Sequence, residues 1–276
     1  MEFVRRSVPL LCALCVFVLA AGTLSAQQPE PYNPQPGQPG KDVVWVPTPD
    51  NLVEKMLDMA RVTPQDFVID LGSGDGRAVI AAARRGVRAL GVEYNDKMVE
   101  LARRRAAEAG VADKASFVHG DMYEADISQA SVLILFLLEE NLDRLAPNFL
   151  AMTPGSRIVV NTFTVSGWSP DQTERAEKCD VWCTAHLYIV PAKVDGSWQL
   201  DDGTLTLRQD FQMLRGTLTQ RGTRLEIDDG RLRGDRIGFS IGGARYEGRV
   251  DGDRIVGESD GAREKQWTAS RVRSMN

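Results

Sequence analysis

Between Asp70 and Asp121 the chain carries acids and glycines whose spacing suits the binding of a small charged ligand. Asp70-Leu71-Gly72-Ser73-Gly74-Asp75-Gly76 sets three glycines at alternate positions, with an acid two residues ahead of the first. Glycine adopts turn conformations closed to other residues and lets a ligand approach the backbone. Glu93 and Asp121 follow, each closing a short apolar run. A carboxylate at Glu93 suits a pair of ribose hydroxyls, because charge-assisted hydrogen bonds outweigh neutral ones. Asp121, with Met122 beside it, is placed for an adenine amino group, and Asp70 for the positive end of a methionine-like moiety. Acids after three successive strands suit a cationic nucleoside and not a phosphate. Ser73 and Asp75 in the loop, and Tyr94 beside Glu93, complete the candidate contact set. A nicotinamide-binding loop would read GxGxxG, with its third small residue where this chain has Arg77. Taken singly, each acid reads as a solvated loop residue and the glycines as a tight turn; the ordered set specifies the ligand.

These residues need a sheet edge to hold them. Phe67-Val68-Ile69 is an apolar run suited to a buried strand, and Ala78–Ala83 after the glycines reads as a helix. Strand, glycine turn and helix together aim backbone N–H groups at a ligand. Arg88–Tyr94 is a second strand, Asp96–Ala109 a helix stopped by Gly110, and Ala115–Asp121 a third strand. Ser131–Leu138 is almost unbroken in apolar character, as expected of a central parallel strand buried on both faces. Glu139–Met152 reads as a helix, Ser156–Phe163 as a fifth strand and Cys179–Ala192 as the last. Upstream, Asn51–Arg61 reads as a helix with Pro49 near its start and Thr48 or Asp50 as cap. The alternation predicts an α/β fold, a doubly wound, mostly parallel seven-stranded Rossmann-like sheet over residues 43–193, binding its ligand at the strands' C-terminal edge.

The two ends of the chain differ from this middle. Arg5 and Arg6 precede an uncharged apolar stretch from Val8 to Ala21, and Leu24-Ser25-Ala26 offers a small-residue cleavage site. That pattern is a secretory signal peptide over residues 1–26, so a periplasmic or extracellular location is expected, with an N-terminal membrane anchor as the alternative. The stretch is shorter than the roughly 20 residues of a spanning helix. Residues 27–42, rich in Pro, Gln and Gly, are expected to be a disordered linker. From Asp195 onward, strands of period two alternate with glycine turns, and Gly234-Asp235-Arg236-Ile237 recurs as Gly252-Asp253-Arg254-Ile255. This predicts a small antiparallel meander, a half-barrel, over residues 194–276, serving to cover apolar surface or to recognise a partner. A net charge of −5 and a pI near 5.3 supply no basic field for nucleic acid. Cys179 and Cys183 are the cysteines left after signal cleavage; four residues of extended strand span about 13 Å, so bridging them requires a turn. His186 and His119 lie on strands that place them badly for a metal, and none is expected.

VWVPTP at Val44–Pro49, DLGSGDGR at Asp70–Arg77, LFLLEENLDRLAP at Leu135–Pro147 and GWSPD at Gly167–Asp171 resemble the class I S-adenosylmethionine-dependent methyltransferases. Within that class they look like the branch of the ATP synthase c-subunit lysine methyltransferases and their bacterial relatives. The resemblance implies S-adenosyl-L-methionine as cofactor and a protein lysine amine as acceptor. Such chemistry needs alignment and exclusion of water more than side-chain acids and bases. An amine must still be neutral to react, and Glu139 and Glu140 are the catalytic candidates for arranging this. Their alternative role is as acids in the first turn of a helix, favoured by its dipole. Trp168 either walls the acceptor channel or packs in the core. The alternative function is an exported envelope binding protein that keeps the fold without turnover.

Overall fold

The computed structural model describes Glu2, residues 32–260 and residues 265–272. The expected signal peptide, Glu2 apart, and residues 27–31 of the expected linker lie outside the described residues. From Asn33 the chain forms one compact unit. Among the described residues no helix is long and apolar enough to cross a membrane.

Helix α1 (Asp50–Met59) leads into β1 (Phe67–Leu71), α2 (Arg77–Arg84), β2 (Arg88–Glu93), α3 (Asp96–Glu108) and β3 (Ala115–His119). Then come β4 (Val132–Leu135), α4 (Glu139–Phe149), β5 (Arg157–Asn161), β6 (Gln172–Arg175) and β7 (Thr184–Ile189). They form a seven-stranded sheet in the order β3-β2-β1-β4-β5-β7-β6. The first five run parallel, while β7 pairs antiparallel with β5 and β6 antiparallel with β7. Strand order reverses between β1 and β4, and such a switch point opens a crevice at the carboxyl ends of the strands. Val132–Leu135 is wholly buried, as its unbroken apolar sequence requires of a strand covered on both faces.

One face of the sheet is covered by α1, α2 and α3 through Leu52, Val53, Met56, Leu57, Val79 and Ala102. On the other face α4 supplies Leu142, Leu145 and Phe149, packed with Trp168 and Tyr188. Helices alone do not complete this second layer: residues 122–131 contain no helix, and residues 162–171 none either. The C-terminal half completes it. Phe211 stacks on Trp168 with ring centroids 5.2 Å apart, Gln212 Nε2 donates to the Ser169 carbonyl at 2.6 Å, and Arg231 pairs with Asp171 at 2.8 Å. Trp168 is therefore a packing residue, buried at 2% exposure, and not a channel wall.

The C-terminal strands are β8 (Gly196–Leu200), β9 (Gly203–Asp210), β10 (Met213–Gln220), β11 (Thr223–Glu226) and β12 (Asp228–Arg233). They continue as β13 (Arg236–Ile241), β14 (Ala244–Asp251), β15 (Arg254–Ser259) and β16 (Lys265–Arg271). The expected half-barrel is instead closed. β16 returns to β8, β8 pairs with β9, and β10 bonds β9 on one edge and both β12 and β11 on the other. The period-two pattern turns Leu205, Leu207, Leu214, Ile237, Phe239, Ile255 and Trp267 to one interior, and the pairing of β16 with β8 closes the ring around it. The recurring Gly-Asp-Arg-Ile explains two corners. Gly234 and Gly252 sit at the first turn position of two-residue hairpins, with φ of 63° and 53°, where a type II′ turn takes glycine.

Candidate active site

The loop after β1 is shaped by its glycines. Gly72, Gly74 and Gly76 have φ of 77°, 51° and 80°, and Gly76 caps α2. A Cβ at Gly76 would lie 2.8 Å from Ala102 and Phe117, so the spacing of the motif reflects helix and strand packing as well as ligand approach. Gly72 and Ser73 donate to the Val92 carbonyl at 2.8 and 3.1 Å, which ties the loop to the end of β2. Asp75, expected to touch the ligand, borders the cavity, but its buried carboxylate is held by Arg77 at 2.7 Å and by Arg105. These guanidinium groups offset a large desolvation cost and hold its pKa below the usual carboxylate range. Its place is in clamping the loop to α2 and α3.

The other acids face a cavity of about 350 Å³ at the carboxyl edge of β1, β2 and β4. Glu93 accepts from the Gly74 and Asn95 N–H groups, each at 2.9 Å, one on each carboxylate oxygen. Each oxygen keeps a lone pair for a further donor, which is the arrangement a ribose diol needs. Asp70 is 7% exposed, and its pKa is pushed up to about 8, first by burial and then by Glu93 and Asp75. Ser73 Oγ is buried in the same loop with no hydrogen-bond partner. Asp121 accepts from Tyr123 N–H at 3.0 Å and pairs with Lys41, whose hydrogen bond is the main cause holding its pKa low. Tyr94 is half exposed with Lys41 4.8 Å from its ring centroid, and Met122 lies buried beside Asp121. A glycine cradle, a carboxylate with free lone pairs, a buried acid short of cations and an unpartnered hydroxyl together fit a cationic nucleoside.

Sequence reasoning missed part of the site. The expected linker does not extend through residues 35–42: Gly37 N–H donates to Trp45 C=O at 2.8 Å and Trp45 N–H to Gln38 C=O at 2.9 Å. This strap lines the cavity from Gln38 to Thr48, with the Trp45 indole 2.5 Å from where a Gly74 Cβ would be. At the far side Phe136, Phe163 and Trp182 border the same cavity. Glu139 and Glu140 do not. Both are exposed in the first turn of α4, and Glu139 accepts from Ser166 Oγ at 3.0 Å, so the helix-start reading of these acids holds. The last strand is shorter than expected because residues 179–183 turn, and Cys179 and Cys183 form a disulfide with Cα atoms 5.7 Å apart. The two cysteine-flanking residues Lys178 and Trp182 take positive φ, which no residue-type signal announced.

Known proteins are similar to this chain over the same region. The sequence model of the ANTKMT methyltransferase domain matches residues 70–172. A protein-lysine N-methyltransferase of Saccharolobus islandicus is 38% identical over 151 residues, spanning 54% of this chain and 94% of that relative. The mouse ATP synthase c-subunit lysine N-methyltransferase is 34% identical over 139 residues, spanning 50% of this chain and 56% of the mouse protein. A Salinibacter ruber crystal structure, described as an RNA methyltransferase in complex with S-adenosyl-L-homocysteine, is 42% identical, with TM-score 0.51, covering 54% of this chain and 96% of that one. With the three strand-end acids and the glycine cradle in place, the chain belongs to the S-adenosylmethionine-dependent methyltransferases, and within them it resembles the ATP synthase c-subunit lysine methyltransferases.

Proposed function

We propose that this enzyme methylates the ε-amine of a lysine in a protein, and that it does so after export from the cytosol. The observation that carries the acceptor is the far side of the cavity, where the cofactor loop gives way to an uncharged aromatic rim formed by Phe136, Phe163 and Trp182. The lysine-modifying relatives support the same reading, as does an acidic chain of net charge −5, ill suited to holding RNA phosphates. The signal-like pattern over residues 1–26 and a disulfide of the kind that persists in oxidising compartments support export.

When bound, the cofactor supplies an electrophilic methyl group, and the protein's part is positioning. Glu93 and the glycine loop would hold the nucleoside, Asp70 would face the positive charge, and the strap from Gln38 to Thr48 walls the cavity against water. Glu139 and Glu140 do not border the cavity, so neither is placed to take the proton that a bound ammonium must lose before it reacts. The retained Asp70, Glu93, Asp121 and glycines argue for turnover and against a binding protein that has kept only the fold.

Calorimetric titration of the mature chain with S-adenosylmethionine tests the first half of the reading. Glu93→Ala is expected to weaken binding about 10- to 100-fold, the loss of one or two charge-assisted hydrogen bonds. Incubation with labelled cofactor and an envelope extract, followed by peptide mass spectrometry, tests the second half. Label on lysine supports it; label confined to RNA overturns it.

A further inference from the structure

Three aromatic rings meet along one wall of the cavity. Phe136 and Phe163 have centroids 6.3 Å apart, and each lies 5.8 Å from Trp182. Phe136 follows β4 and Phe163 follows β5, so the sheet itself sets two of the rings. Trp182 comes from elsewhere. It belongs to the turn closed by the Cys179–Cys183 disulfide, and it sits at φ 57°, a conformation that a bulky residue keeps only when its surroundings impose it. The turn is tied down at its start by Asn51 Nδ2, which donates to the Glu177 carbonyl at 2.6 Å, and at its end by Ala176 N–H, which donates to the Cys183 carbonyl at 2.8 Å. Cys183 is buried while Val181 and Trp182 are exposed, so the bridge anchors an otherwise solvent-facing loop to the sheet.

The chemistry of this wall is specific. The cavity-bordering run Ile134–Leu138, Phe163 and Trp182 carry no charged side chain. At this wall the π faces attract a cation, an interaction strongest over tryptophan. Its aliphatic stem gains from the same apolar surface. A lysine side chain offers both parts, an unbranched stem and an ammonium tip.

We infer that Phe136, Phe163 and Trp182 form the acceptor-binding wall for an alkylammonium side chain, and that the Cys179–Cys183 disulfide holds Trp182 in it, making acceptor affinity dependent on redox state. The inference rests on the lysine reading above. Reduction takes two electrons and two protons from a dithiol such as dithiothreitol, giving two thiols and the cyclic disulfide of the reductant. It would release the turn and withdraw the ring, while the cofactor residues, held by the strands and the glycine loop, stay where they are.

The test uses the mature chain saturated with S-adenosylhomocysteine and follows the tryptophan indole N–H signals by NMR, with Trp182 assigned by its loss in Trp182→Phe. The probes are Nα-acetyl-trimethyllysine amide, Nα-acetyl-norleucine amide and a short single-stranded RNA. The expected result is a saturable shift of the Trp182 signal with the cationic probe, at least about fivefold weaker with norleucine. Addition of dithiothreitol, or the double variant C179S/C183S, is expected to weaken that binding about five- to 30-fold while S-adenosylhomocysteine affinity changes less than twofold. Trp182→Leu, which keeps apolar bulk, is expected to show the same loss by calorimetry. An unshifted Trp182 signal, or binding indifferent to reduction, overturns the inference. If labelled lysine is found in the extract experiment while Trp182 is unmoved, the lysine reading stands and the wall falls. A shift with RNA and none with the amine overturns the amine assignment and the lysine reading together.

Discussion

Asp70 and Glu93 end adjacent strands and are treated very differently by the fold. Two backbone N–H groups donate to Glu93, whereas Asp70 is buried beside two other acids with its pKa pushed up to about 8. In the unfolded chain Asp70 ionises near its ordinary value of 3.8, so between about pH 4 and pH 8 the unfolded state binds fewer protons than the folded one. Stability of the ligand-free protein is therefore expected to fall as pH rises through that window. Asp70→Asn should raise thermal stability at pH 7.5 by about 1–3 kcal/mol and flatten its pH dependence, while weakening cofactor affinity. A cationic cofactor favours the ionised form, so binding below pH 8 should release a proton. Titrations in buffers of different ionisation enthalpy would detect it, and an affinity constant followed between pH 6 and pH 9 would show the expected rise and plateau.

The strap and the glycine loop act as elements, each decided by contacts distant in sequence. Trp45 lies against Gly74, and Lys41 reaches across to Asp121. Trp45→Ala should leave the fold intact but speed cofactor release by about tenfold or more in stopped-flow displacement, since the cavity loses an apolar wall whose burial is worth a few kcal/mol. Asp75→Asn acts on the loop from behind. It leaves Arg77 and Arg105 without their shared buried carboxylate, and is expected to lower the urea midpoint by the equivalent of about 1–3 kcal/mol with an unchanged slope. From sequence, the element types were legible because their periods are strong: Phe67–Leu71, Arg88–Glu93 and Val132–Leu135 are strands where apolar runs predict them. The strap was not. Its Pro, Gln and Gly composition lacks a core-forming pattern, and its order comes from lying on the cofactor loop.

In the whole molecule the barrel substitutes for missing helices. Trp168 lies against Tyr188 on the second face of the sheet and is itself covered by Phe211 from the barrel. A chain ending at residue 193 is expected to expose this patch and self-associate, with a lower thermal midpoint than the full chain; light scattering and calorimetry of the two would show it. The amino-acid sequence by itself determined the parallel sheet, the cradle at its switch point and the three strand-end acids, because each depends on residue types at short, regular spacing. It also showed that the C-terminal half is antiparallel and glycine-turned. Only the tertiary structure decided which acids face the ligand. The place of Glu139 and Glu140 in the first turn of α4 was legible in the sequence, whereas Asp75 belongs to arginines on α2 and α3 through contacts that no local pattern encodes. The same holds for the closure of the barrel, which needs β16 to meet β8. It holds most clearly for the turn at Cys179–Cys183, where a bridge across a run that reads as strand sets Trp182 beside two rings from the far ends of β4 and β5.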